Sequence, residues 1–277
     1  MGKDRTISKV KKAIVTYVAL TFALSTIFYY LMATTGMGGY KTLLLMWMPA
    51  VSAIITSLIF FRSVRGFGWA PGKIKYLAFA YILPVIISII IYGIFWLSGL
   101  GTYTGKLPNN LIMAIFLGSI SNIILALGEE IGWRGFLVPQ LAKLTTFTWI
   151  SIISGIIWAL WHFPVIIFST YVSGTPLWWS LPIFFSGVIV FSFIMAWLTL
   201  KSGSLWPAVI LHGSDNLFTQ EIFGPLGGGD LSLYFVGESG ILTLIIMAII
   251  ALIFWIFRDK LPDLRINNSD KDDIQSH

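Results

Sequence analysis

Six side chains in the second half of the chain have types and spacings suited to acid–base chemistry. They occupy three short polar stretches within apolar segments, namely Glu129, Glu130 and Arg134, then His162, then His212 and Asn216. A carboxylate beside an imidazole, away from bulk water, can take a proton from a water molecule. A second imidazole and a carboxamide can donate hydrogen bonds to an oxyanion. We therefore predict that Glu129 is a base and that His162 assists it. His212 and Asn216 are predicted to stabilise the oxyanion.

Helical spacing arranges these residues in pairs. Glu130 and Arg134 are four positions apart, so they lie on one helix face and are predicted to form an ion pair. Glu129 points about 100° away from Glu130, and we expect it to be unpaired. Trp158 lies four positions before His162, and the same spacing separates the two residues of the third stretch. Each helix is thus predicted to present one polar or aromatic face.

A metal-dependent alternative uses the same residues. Glu129, His162 and His212 would supply the one-carboxylate, two-histidine set of a catalytic zinc site, with a fourth position for water. Asp215 precedes Asn216 and is a rival acid if its helix is rotated. The spacing alone does not separate a zinc site from a site without a cofactor.

The elements that carry these residues are predicted to be membrane helices. The 277 residues are 57% hydrophobic and 11% charged, and the mean hydropathy is +0.86, which is too apolar for a soluble domain. Apolar stretches of about 20 residues recur, as needed to cross a bilayer. Strands are not expected, because open sheet edges cannot be satisfied in lipid. The chain has no cysteine, which excludes disulfides, thiolate ligands and a cysteine nucleophile.

About eight spans are predicted, which gives an all-α, polytopic membrane bundle. The expected spans cover residues 13–34, 42–61, 77–98, 111–129, 147–168, 180–200, 205–223 and 240–257. The fourth is expected to continue past Glu129 toward Lys143, with a kink at Pro139. The chain is divided into a basic segment 1–12, a membrane-embedded domain 13–257 with its motif core at 111–220, and a polar tail 258–277. No cleavage site follows the basic segment, so the first span is expected to be retained.

The distribution of Lys and Arg predicts the orientation. With the N-terminus cytoplasmic and all eight spans crossing, 16 of the 18 Lys and Arg residues are cytoplasmic, and only Lys41 and Lys106 lie on the other side. The positive-inside rule therefore favours cytoplasmic N- and C-termini. These short basic segments account for the net charge of +6, so lipid is an expected partner and nucleic acid is not.

Counting from the turn at Thr145 places two polar stretches at one depth. Glu129 lies 16 residues before Thr145, and His162 lies 17 residues after it. His212 follows the next turn by about ten residues and lies nearer the surface by this count. We expect the three stretches to meet at a cavity in the cytoplasmic half of the membrane.

These motifs resemble those of the CAAX protease and bacteriocin-processing family of intramembrane proteases, which includes the type II CAAX prenyl endopeptidases. The family motifs are Glu-Glu-x-x-x-Arg, Phe-x-x-x-His and His-x-x-x-Asn or Asp. They correspond here to Glu129, Glu130 and Arg134, to Trp158 and His162, and to His212 and Asn216. Trp158 departs from the usual Phe, and its ring is expected to pack around the histidine. The resemblance covers residues of about 111–220.

The resemblance implies a helical fold in the cell membrane with a cavity open to the cytoplasm. It implies cleavage near the C-terminus of a peptide or lipidated protein, and it favours a glutamate protease over a zinc enzyme. Two other classes stay open: a non-catalytic membrane immunity or binding scaffold, and a proton-coupled transporter with the glutamates in a relay. The sequence determines neither the substrate nor the oligomeric state.

Overall fold

Helices make up the body of the molecule. The computed structural model describes residues 2–169, 171 and 174–266. Its α-helices are α1 (Gly2–Thr35), α2 (Tyr40–Phe61), α3 (Ile74–Leu97), α4 (Leu111–Glu130), α5 (Val138–Ala142), α6 (Phe147–Phe168), α7 (Leu177–Ser202), α8 (Trp206–Asp215), α9 (Ser232–Phe235) and α10 (Ile241–Ile256). Two π-helical segments, π1 (Ile131–Leu137) and π2 (Asn216–Phe223), directly follow α4 and α8. Both therefore adjoin the predicted polar stretches, and π-helical turns frequently occur at functional sites.

Seven helical stretches within the described residues are long and apolar enough to cross a membrane. They are Lys3–Thr35, Tyr40–Phe61, Ile74–Leu97, Leu111–Ala142, Phe147–Phe168, Leu177–Ser202 and Ile241–Lys260. Each coincides with one of the predicted spans, and the all-α polytopic bundle is confirmed. The chain is an integral, multi-pass membrane protein.

The remaining predicted span, 205–223, is helical but is not among the seven. It forms α8 and π2, and its polar residues make it less apolar than the others: His212, Asp215, Asn216, Gln220 and Glu221. Contacts with α3, α4 and α7 shield this helix. About eight spans were predicted, whereas seven helices among the described residues qualify by length and composition. Neighbouring helices bury most of α8, including His212.

The structure revises the predicted start of the first helix and defines the end of the fourth. The first helix begins at Gly2, so the basic segment 1–12 continues into the first span without a break from residue 2 onward. The fourth span does continue past Glu129, through π1 and α5 to Ala142. Pro139 lies where π1 gives way to α5, so its missing N–H falls at a change in the helical hydrogen-bond pattern. Of the predicted tail, residues 267–277 lie outside the described residues.

One end of the bundle, here called the strand end, gathers the linkers 36–39, 98–110, 169–176 and 224–240. A short antiparallel pairing of Thr102–Tyr103 with Gly227–Gly228 joins two of them, and it corrects the expectation of no strands. It lies in linkers, outside the spans. Ser169 Oγ lies 3.7 Å from Met37 Sδ, and the Trp179 indole N–H donates to the Ser239 carbonyl at 3.0 Å. All four linkers therefore lie at the same end.

The opposite end, here called the basic end, gathers the start of α1 and segments 62–73, 143–146, 203–205 and 257–266. The ammonium groups of Lys9 and Lys143 lie 5.4 and 5.5 Å from the centre of the Phe61 ring. Leu205 N–H donates to the Gly68 carbonyl at 3.0 Å, and Ile266 N–H donates to the Lys143 carbonyl at 3.1 Å. The two ends are separated by the full length of the spanning helices.

Glycines allow the motif helices to approach closely. A Cβ on Gly213 of α8 would lie 2.9 Å from Ile123 Cα in α4. A Cβ on Gly128 of α4 would lie 2.7 Å from the Met46 carbonyl oxygen in α2. Small residues at such crossings are typical of membrane bundles, because van der Waals packing drives association there. These contacts set the positions of the adjacent Glu129 and His212.

Candidate active site

A buried carboxylate joins two motif helices. Glu130 Oε1 accepts hydrogen bonds from Arg134 Nη1 and from His212 Nδ1, each at 2.9 Å. All three residues are buried, with Glu130 0% exposed. The predicted ion pair between Glu130 and Arg134 is present, and His212 adds a third member from a different helix. Glu130 therefore fixes the ring of His212 and ties α8 to α4.

Glu129 is also engaged, contrary to the expectation that it is unpaired. Its Oε2 accepts a hydrogen bond from the Trp158 indole at 2.7 Å and another from the Trp133 indole at 3.3 Å. Within the described residues its Oε1 has no hydrogen-bond partner. The two indoles hold one carboxylate oxygen and leave the other available to a water molecule. Both tryptophans are buried.

Trp158 contacts Glu129, Arg134 and both histidines of the polar cluster. The Arg134 guanidinium lies 4.1 Å from the centre of its ring, a cation–π contact. The ring centres of His162 and His212 lie 5.9 and 5.2 Å away. The expected packing around the histidine is therefore present, and the indole N–H adds a hydrogen bond to Glu129 that phenylalanine cannot make.

His162 points one nitrogen at its own helix. Its Nδ1 lies 3.0 Å from the Trp158 carbonyl oxygen, and since a carbonyl only accepts, Nδ1 carries the proton. In the neutral ring Nε2 is then an acceptor. Such an arrangement suits a group that accepts a hydrogen bond from a water molecule.

His212 and Asn216 lie one helical turn apart, at the junction of α8 and π2. The carboxylate of Glu130 accepts the proton of His212 Nδ1, and an imidazolium at this position would present Nε2–H as a second donor. Asn216 Oδ1 accepts a hydrogen bond from Gln220 Nε2 at 3.3 Å. The Nδ2 donors of Asn216 have no partner among the described residues. The imidazolium form of His212 and the carboxamide of Asn216 would together supply two donors, as an oxyanion site requires.

A cavity of about 130 Å³ brings the three motif stretches together. The motif residues that line it are Glu129, His162, His212 and Asn216, together with Trp158. Glu130 and Arg134 are not in its wall but lie behind it. Asp215, the rival acid, also faces the cavity, and its Oδ1 accepts a hydrogen bond from Thr219 Oγ1 at 3.3 Å. The rest of the wall is mainly apolar, including Met32, Met46, Phe184 and Met247.

Three further residues were missed by the sequence analysis. Trp133 was detectable, because it lies four positions after Glu129, the same spacing that pairs Glu130 with Arg134. Tyr171 and Glu238 lie in linkers and carried no such signal. The Tyr171 hydroxyl donates to Glu238 Oε1 at 3.2 Å.

Glu238 lines two neighbouring cavities, the first one and a second of about 260 Å³. Tyr171 and Thr219 also line both cavities. Burial raises the pKa of Glu238 to about 7, and the charge of Asp215 adds to this effect. Hydrogen bonds from Tyr171 and Gln220 oppose the rise in pKa.

The zinc alternative finds no support in the donor arrangement. The described residues contain no group of three or more His, Cys, Asp or Glu side chains placed to hold a metal ion. Glu129, His162 and His212, which would form the set, share a cavity wall without forming such a group. Nδ1 of each histidine is engaged by an oxygen of the protein, so Nε2 is the nitrogen that either a metal or a water molecule would meet.

The cavity lies toward the strand end. Met37, Tyr171 and Glu238 line it from the linkers of that end, and Thr42 and Thr243 line it from the first turns of α2 and α10. Among the described residues, no residue of a basic-end linker lines it. The cavity therefore lies toward the end of the bundle opposite to the start of α1 and to segment 257–266.

Comparison with known proteins agrees with the motifs. Residues 108–218 match the family model described as type II CAAX prenyl endopeptidase Rce1-like. The chain is 31% identical over 144 residues to CAAX prenyl protease 2 of Methanococcus maripaludis, an alignment covering 50% of this chain and 51% of that protein. The chain thus aligns with about half the length of this relative. The resemblance to the CAAX protease family is confirmed, and the matched segment contains all six motif residues.

Proposed function

We propose that this chain, whose motif core matches the type II CAAX prenyl endopeptidases, is an intramembrane endopeptidase that hydrolyses a peptide bond close to the membrane surface. One observation carries the proposal. Polar side chains from three separate helical stretches meet at one cavity inside an apolar bundle: Glu129, His162, His212 and Asn216. Polar groups at such depth are costly and mark functional sites.

In the proposed reaction Glu129 acts as the general base. Its Oε1 takes a proton from a water molecule, whose oxygen attacks the carbonyl carbon of the scissile peptide bond. His162 Nε2 assists by accepting a hydrogen bond from the same water. A tetrahedral intermediate forms, and its oxyanion receives hydrogen bonds from His212 Nε2–H and Asn216 Nδ2–H.

Collapse of the intermediate completes the hydrolysis. The C–N bond breaks, and the proton taken up by Glu129 passes to the leaving amine. Glu130 and Arg134 do not touch the substrate in this scheme. They position His212 and sustain its charge. We propose that the reaction proceeds without a metal ion, since these residues supply both the base and the electrophilic donors.

The proposed substrate is a peptide or a lipidated protein. The relative from Methanococcus maripaludis is named a prenyl protease, and the apolar part of the cavity wall would accept an isoprenoid or an apolar side chain. Three methionines in that wall, Met32, Met46 and Met247, can adapt to irregular shapes.

The decisive experiment replaces Glu129 by Gln, which keeps the shape and removes the base. Cleavage of internally quenched CAAX peptides, with and without a farnesyl group, is followed in detergent. A fall of about 10²- to 10⁴-fold is expected for the variant, the usual contribution of general base catalysis. Unchanged cleavage by Glu129→Gln would reject the proposal.

Glu221→Gln provides the matched control. Its carboxylate accepts a hydrogen bond from Asn122 at 2.8 Å, and it lines neither cavity. It should retain full cleavage. If the folded wild-type protein cleaves neither peptide form, the scaffold alternative replaces the endopeptidase.

A further inference from the structure

The access side of the cavity follows from its position and from the distribution of charge. The linkers that frame the cavity belong to the strand end, and they contact one another through Met37, Ser169, Tyr171 and Glu238. Access from water therefore runs through the strand end. Substrate entering from the aqueous phase must come from whichever side of the membrane that end faces.

Positive charge is concentrated at the other end. The chain has 18 Lys and Arg residues. Arg134 is buried within the bundle, so it does not enter the positive-inside count, which considers residues in loops. Lys41 and Lys106 belong to the strand end. Of the remaining 15, 13 belong to the segments of the basic end or to the tail that follows them, and Lys75 and Lys201 lie in the adjoining first turn of α3 and last turn of α7.

The strand end carries acidic groups as well as few basic ones. Asp230 and Glu238 lie in its linkers. The ammonium of Lys41 is held by the Thr35 hydroxyl at 3.0 Å and by the Gly36 carbonyl. The positive-inside rule counts Lys and Arg in short loops, and these loops are short. The basic end is therefore the cytoplasmic one.

We infer that the cavity opens on the extracytoplasmic side of the membrane, so that its substrate is a peptide segment lying outside the cytoplasm. This inference deepens the proposed function, on which its reference to a substrate rests. It replaces the expectation that the cavity opens to the cytoplasm. Cytoplasmic termini are kept, and the cavity is assigned to the other surface.

The absence of cysteine from the chain permits a direct test, because every introduced thiol is unique. Asn109→Cys and Met37→Cys place a thiol at the strand end; Asn109 is exposed, and Met37 is 37% exposed at the cavity wall. Thr146→Cys places one at the basic end, where the Thr146 side chain is exposed and makes no capping hydrogen bond. A membrane-impermeant maleimide is applied to intact bacterial cells, permeabilised cells and protein denatured in SDS.

Asn109→Cys and Met37→Cys should be labelled in intact cells, and Thr146→Cys only after permeabilisation. Labelling in SDS shows that each thiol is present and reactive. The reverse pattern overturns the inference, and so does equal labelling of both ends in intact cells. Because labelling needs no activity, the expected pattern without peptide cleavage would count against the proposed function alone. The reverse pattern with cleavage would count against the access side alone.

Discussion

The imidazole of His212 meets the carboxylate of Glu130 at 2.9 Å, and the same carboxylate oxygen bonds Arg134 at 2.9 Å. One acidic group thus serves two cationic or potentially cationic partners on two helices. With all three residues buried, none can exchange its partner for water.

Replacing Glu130 by Gln is therefore expected to destabilise the fold. Breaking a buried ion pair typically costs about 3–5 kcal/mol, because the remaining charge is left uncompensated. Thermal unfolding in detergent measures the loss. Asp263→Asn is the control, since Asp263 forms an exposed ion pair with Arg265 at 2.7 Å, and its melting temperature should not change measurably. Equal melting of Glu130→Gln and wild type would contradict the structural role.

Trp158→Phe restores the residue usual in the family motif and removes one hydrogen bond. The lost bond from the indole to Glu129 Oε2 is the shorter of two. A bond to a charged group contributes about 1.5–3 kcal/mol, so kcat should fall about 10- to 100-fold. KM should change little, because the phenylalanine ring still occupies most of the space of the Trp158 ring in the cavity wall.

Trp255→Phe is the control for this change. Trp255 is a half-buried tryptophan of α10 whose indole donates to Thr148 Oγ1 at 3.0 Å, and it lines neither cavity. It should also lose one hydrogen bond, and far less activity. If the two variants lose activity equally, Trp158 acts through packing and not through Glu129.

Gly213→Ala should push α8 away from α4. The added Cβ would lie 2.9 Å from Ile123 Cα, and overpacking of this kind costs about 1–3 kcal/mol. Cleavage should fall as well, because His212 moves with the helix. Gly93→Ala in α3 is the comparison, since its Cβ would meet nothing within 4 Å. A similar melting temperature for both variants would show that the contact between the helices is not tight.

The pKa of Glu238, raised by burial from 4.5 to about 7, predicts a pH dependence of stability. Between these values the folded protein binds the proton and the unfolded chain does not. Stability therefore falls as pH rises from about 4.5 to about 7, and levels off above. Relative to Glu238→Gln, the wild type should lose melting temperature from pH 5 to pH 8. If the melting temperatures of the wild type and Glu238→Gln change with pH in the same way, Glu238 does not have the raised pKa.

Chelation is expected to leave the proposed activity intact. The three candidate ligands do not form a metal-binding group among the described residues. Cleavage should survive dialysis against EDTA and phenanthroline, and elemental analysis should find less than stoichiometric zinc. Loss of cleavage that added zinc restores would establish the metal-dependent alternative.

The sequence by itself determined the fold class and named residues that the structure brings to one cavity. Apolar stretches of bilayer length can only be helices, since lipid satisfies no backbone hydrogen bonds. Polar residues within them have few explanations, so Glu129, His162 and His212 were recognisable without coordinates. The pairing of Glu130 with Arg134 followed from helical spacing alone. Seven of the eight predicted spans, and the continuation of the fourth past Glu129, were predicted correctly for the same local reasons.

Only the tertiary structure decided how these residues are partnered and where they face. The hydrogen bond from Trp158 to Glu129 joins residues 29 positions apart, and that from His212 to Glu130 spans 82. Tyr171 and Glu238 reach the cavity from linkers, which have no periodicity to reveal them. The end of the bundle at which the cavity lies depends on helix packing, because residue counts along one helix do not fix its tilt or its neighbours.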